Sequence, residues 1–97
     1  MEYIIYPTNK VITLPARGYF KVGDKGESIS IISSFLACNF MGFEDITGVK
    51  IEKMLGDYFG NNLKTWIVWF QKSNGLESDG NIGEPDLQKL REYGLSA

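Results

Sequence analysis

Ninety-seven residues, 43% of them hydrophobic and 23% charged, specify one domain with a modest core and leave no room for a catalytic domain beside a separate binding domain. Ten Lys and Arg against 12 Asp and Glu give a formal charge of −2, and the positive residues are scattered, which disfavours nucleic-acid binding through phosphates and attachment to anionic membranes. The chain has no histidine, so Ser-His-Asp and Cys-His catalysis, the HExxH zinc arrangement and every His-ligated metal site are excluded.

The single cysteine, Cys38, has no partner for an internal disulfide and stands in an apolar run, where a buried, inert thiol is expected. No apolar stretch reaches the roughly 20 residues of a membrane span. The start, MEYIIYPTNK, lacks the basic and long apolar regions of a secretory signal.

Along the chain, Tyr3-Ile4-Ile5-Tyr6 is a β-prone run stopped by Pro7, and Val11-Ile12-Thr13-Leu14 is a second one stopped by Pro15. Both read as an extended linker or edge strand, because two prolines so close together resist helix and interrupt sheet. Residues 1–17 are therefore assigned to this segment and 18–97 to the domain. Asp24 is expected to cap a first helix, with Glu27 as its capping-box partner. Ile29, Ile32, Leu36 and Phe40, widened by Phe35, set that helix from about Gly26 to Asn39, ending near Gly42. Between Met41 and Leu55 no period persists, and the stretch reads as a long loop with one short element.

The stretch Gly56 to Gly83 organises the rest. Its helix is expected from Asn61 or Asn62, either of which can cap it, to about Ser73, with Gly75 as the stop. Leu63, Trp66, Ile67 and Phe70 form its apolar stripe, whereas Trp69 shares a mostly polar face with Asn62, Thr65 and Ser73. Asp79-Gly80 makes the next turn. Pro85 then opens a last helix with Leu87 and Leu90 inward and Tyr93 beyond, ended by Gly94. Phe59-Gly60 before one helix and Ile82-Gly83 before the next suggest a turn-plus-helix unit used twice. The fold class is accordingly all-α, a small three-helix bundle with glycine-rich turns, preceded by an extended N-terminal segment.

These residues resemble a known family, the three-helix peptidoglycan-binding domain of bacterial and phage cell-wall hydrolases. The match is carried by Gly26, Ile29, Ile32 and Leu36; by Phe59 and Gly60; by Ile67, Phe70 and Gln71; and by Gly75, Leu76, Asp79, Gly80 and Gly83. The FQ-x-x-x-GL-x-x-DG-x-x-G portion is the most specific part, and TLPARGYFKVGDKG resembles the linker junction of phage endolysins. Departures are Ser33 for the family's first-helix Gln, Gly56-Asp57 for its Asp-Gly, Leu63 for Thr, Trp66 for Ala, and Glu84 for Pro, with Pro85 one place later.

The resemblance implies a non-catalytic module that binds bacterial peptidoglycan and carries a covalently or non-covalently associated catalytic domain of a cell-wall hydrolase to its substrate. If phage-encoded, it is made in the host cytoplasm and acts at the wall. No cofactor is implied. Recognition of a glycan or peptide needs an aromatic platform with amides or carboxylates around it. Trp69 is the first choice for stacking and Tyr58 the second, with Asn61, Asn62, Gln71 and Asp79 as hydrogen-bonding candidates. Each has a structural alternative: the asparagines as helix caps, Gln71 bonded to turn backbone, Asp79 stabilising its own turn, Trp69 covering a loop or a partner subunit. The alternative function is an oligomerisation or protein-interaction module that assembles a lysin complex, with exposed aromatics and the Tyr3–Tyr6 run pairing copies into a homo-oligomer.

Overall fold

A computed structural model describes residues 12–96 of the chain. The elements are β1 (Tyr19–Phe20), α1 (Glu27–Asn39), α2 (Phe43–Thr47), α3 (Ile51–Met54), α4 (Asn61–Ser73), β2 (Ile82–Gly83) and α5 (Glu84–Glu92). The domain is mostly helical, with three longer helices, two short ones and one two-stranded sheet. The Tyr3–Tyr6 run lies outside the described residues.

Helix α1 covers the expected span, but Asp24 does not cap it. The N-cap is Gly26, at φ 146°. Asp24 instead accepts both guanidinium nitrogens of Arg17, at 2.7 and 2.9 Å, and the Lys21 N–H at 2.9 Å, so its carboxylate closes the turn before the helix. Ile29, Ile32, Phe35 and Leu36 are buried as their spacing predicts, and so are Ile31, Ser33 and Ala37. Cys38 is exposed on this helix, contrary to the buried thiol expected from the apolar run. The helix turns its other faces to the core and leaves Cys38 outward.

The stretch expected to be a long loop with one short element contains two, α2 and α3, and both pack on α4. No persistent period marks them because each is too short to display one, and isolated helices of this length are unstable without tertiary contacts. Each has one buried anchor, Met54 in α3 and Phe43 in α2, and Phe43 meets Trp66 edge-on, with ring centroids 5.6 Å apart. Between the two helices, the Val49 carbonyl accepts the Trp66 indole N–H at 3.0 Å. Trp66 thereby buries its ring fully while its polar atom is satisfied.

Helix α4 buries Leu63, Trp66, Ile67 and Phe70 as predicted. Its N-cap is Gly60 rather than an asparagine, and Asn61 and Asn62 fall inside the first turn. At its C-terminus Gly75 takes φ 69°, and the Leu76 N–H reaches back to the Gln71 carbonyl at 2.9 Å, a Schellman stop. The same stop ends α5: Gly94 has φ 119° and the Leu95 N–H donates to the Leu90 carbonyl at 3.1 Å.

The doubled turn-plus-helix pattern has a structural basis. Two short stretches on either side of the turn at Val22 and Gly23 pair with the two turns. Tyr19 and Phe20 align antiparallel with Gly83 and Ile82, and Lys25 bridges Tyr58. The Gly23 N–H donates to the Phe59 carbonyl and the Phe59 N–H to the Asp24 carbonyl, both at 2.8 Å. Phe59 and Ile82 are each fully buried, contributing about 2 kcal/mol apiece by removal of apolar area from water. Upstream, Ile12 is buried and Leu14 packs on the same core, while the Thr13 N–H meets Ser28 Oγ at 3.3 Å. From Ile12 onward, the proline-flanked segment is part of the packed structure.

Candidate functional site

The turn after α4 is built around the side-chain amide of Gln71, which is completely buried. Its Nε2 faces three acceptors: Asp79 Oδ1 at 3.0 Å, the Asn81 carbonyl at 2.8 Å and Asp86 Oδ1 at 3.1 Å. Its Oε1 accepts the Gly80 N–H at 3.0 Å. Gln71 therefore bonds turn backbone and has no edge facing solvent. Asp79 supports its own turn, since Oδ1 also accepts the Asn81 N–H at 2.9 Å. Ser33 does a smaller version of this work for the other turn, donating to the Gly56 carbonyl at 3.1 Å and accepting the Gly56 N–H at 3.2 Å.

Asp86 completes the Gln71 cluster. Its Oδ2 accepts the Gly83 N–H at 2.8 Å, the reciprocal half of a capping box at the start of α5. Burial raises its pKa above the ordinary value; the Gly83 and Gln71 hydrogen bonds pull the other way, and the Asp79 charge adds to the rise.

Trp69 lies elsewhere. Its indole packs partly on the core and lines a groove of about 320 Å³ between α4 and α2, with Ile46, Thr47, Lys64, Thr65, Val68 and Lys72. The Thr hydroxyl protons are committed to backbone, Thr47 to the Phe43 carbonyl at 2.6 Å and Thr65 to the Asn61 carbonyl at 3.0 Å. Lys64 is held in position by Gly80: its aliphatic stem crosses the turn so closely that an added Cβ would lie 2.6 Å from Lys64 Cε.

Tyr58, Asn61 and Asn62 line a second depression of about 290 Å³ beside α3, with Lys53 and Leu55. Tyr58 is 56% exposed, and the Asn62 amide donates to the Lys53 carbonyl at 3.2 Å, tying α4 to α3 rather than capping its own helix. Asp79 borders a third depression, of about 500 Å³, together with Glu77, Glu84 and Asp86. The structure thus distributes the six expected residues over two surface depressions, one groove and one buried cluster.

Residues that sequence reasoning passed over complete the Trp69 groove. Lys64, Val68 and Lys72 recur every four residues, a period that places them in one row beside Thr65 and Trp69; that signal was available. Ile46 and Thr47 carried none, because only the docking of α2 brings them there. Cys38 is remote from this groove in the sense that it does not line it, and its thiol is shifted upward by partial loss of water.

No protein-family model, curated protein or solved structure matched the chain.

Proposed function

We propose that the chain is a non-catalytic peptidoglycan-binding module that brings a cell-wall hydrolase to its substrate. The observation that carries the reading is the Trp69 groove: a partly exposed indole at the surface between two lysines and two threonines, the combination of apolar platform and polar rim that saccharide and peptide ligands use. The resemblance adds the ligand class. In this reading α1, α4 and α5 are the three helices of the bundle, and α2 and α3 elaborate the connection between the first two. The tethered enzyme gains local concentration, not a lower barrier.

Sedimentation with Gram-positive sacculi tests it. The chain is expected in the pellet, and Trp69→Ala is expected to leave it in the supernatant with its circular dichroism unchanged. A chain that pellets with no sacculus tested would end the reading.

A further inference from the structure

The charged groups of the Trp69 groove are all cationic, and this bears on what can bind. Thr47 and Thr65 have their hydroxyl protons committed to helix carbonyls. Among the described residues, neither Lys64 nor Lys72 enters an ion pair. No carboxylate of the described residues lines the groove. The two tryptophans of the chain also differ: Trp66 gives its indole N–H to Val49, whereas the Trp69 N–H has no acceptor among the described residues and is not buried. The groove therefore offers two cationic donors and an indole N–H, with the threonine oxygens as its acceptors, beside an apolar floor of Ile46, Val68 and the indole ring. The depression bordered by Glu77, Asp79, Glu84 and Asp86 has the opposite character.

Two ammonium groups that enter no ion pair among the described residues outweigh the neutral threonine oxygens in setting the character of this groove. An anion matches it. We propose that the groove recognises a carboxylate-bearing fragment of peptidoglycan, with an apolar face of the ligand on Trp69 and the carboxylate between Lys64 and Lys72; this rests on the wall-binding reading above. Gly80 is a positioning residue in this arrangement. Because it has no Cβ, the Lys64 stem can lie across the turn, with Cγ, Cδ and Cε all within 3.3 Å of where a Cβ would be.

The test uses the full chain and three sacculus preparations: untreated, stripped of phosphodiester-linked polymers with hydrofluoric acid, and stripped then amidated at their carboxylates. Binding is expected to survive stripping and to fall about tenfold on amidation, the scale of two partly exposed ion pairs. The double variant Lys64→Gln, Lys72→Gln is expected to lose the same factor on stripped sacculi and to be indifferent to amidation. Gly80→Ala, which displaces the Lys64 stem and strains the backbone at φ 77°, is expected to bind between the parent and the double variant. Loss of binding on stripping would overturn the carboxylate in favour of a wall phosphate. A double lysine variant that binds like the parent while Trp69→Ala does not would overturn the anionic site and leave wall binding standing. Failure of the parent chain on all three preparations would instead remove the underlying reading.

Discussion

At the scale of single residues, Gln71 and Asp86 show how much of the motif is structural. Every polar atom of the Gln71 side chain has a partner, and the cluster contains two carboxylates separated by one amide. Gln71→Ala would leave the Gly80 N–H and the Asp86 carboxylate without their buried partner, at a cost of about 3 kcal/mol. Urea unfolding measures this; a loss below about 1 kcal/mol would mean that water replaces the amide readily. The raised pKa of Asp86 gives a signed expectation. Its folded value lies above its unfolded one, so the stability this group contributes is fully present below the ordinary value of 3.8 and is lost as pH rises through the folded value. Asp86→Asn is expected to remove that component, so the difference in unfolding midpoint between parent and variant should change with pH in the acid range. Parallel profiles would refute the assignment.

At the scale of elements, the longer helices were legible from their apolar spacing, and α4 and α5 also from their glycine stops, because periodicity and left-handed caps are local properties; α1 ends at Phe40 without one. The caps at the N-termini were not. Asp24, Asn61 and Asn62 have the right chemistry for capping, yet Gly26 and Gly60 hold those positions. The extended strand of the turn runs directly into the helix, and the pairing of Lys25 with Tyr58 fixes where extended backbone stops. Helices α2 and α3 were unreadable for a different reason: each is held on α4 by contacts made across sequence, α2 through Phe43 on Trp66 and α3 through buried Met54. Trp66→Phe keeps the ring and deletes the hydrogen bond to Val49. It is expected to cost about 1 to 3 kcal/mol and to loosen the α2 wall of the Trp69 groove. Hydrogen exchange would show faster opening in α2 and α3 with α5 unaffected; uniform acceleration would argue against a local anchor.

At the scale of the whole molecule, the stretch of residues 19–25, two paired pieces joined by a turn, holds both repeats together. Phe20 aligns with Ile82, and the backbone around Asp24 is bonded to Phe59, so the N-terminal part of the domain reaches both turns. Ile12 belongs to the same core at 6% exposure. Ile12→Ala is expected to destabilise the domain by about 2 to 4 kcal/mol, measured as a drop in urea midpoint with an unchanged slope. A neutral substitution would mean that the segment before Pro15 is dispensable.

The sequence alone determined the class of structure and its punctuation. Helical periods, glycines with no Cβ and a buried aromatic stripe act on neighbouring backbone, so they can be read in order. It also placed Trp69 outside the core stripe and gave the residues on which the family resemblance rests. Only tertiary structure decided which side chains share a surface. It removed Gln71 to the interior because three acceptors converge there. It separated Tyr58 and the asparagines from Trp69 because α3 lies against the start of α4 and α2 farther along it. It also set two lysines without carboxylate partners around that indole. Those outcomes depend on packing between segments far apart in the chain, where local spacing carries no information.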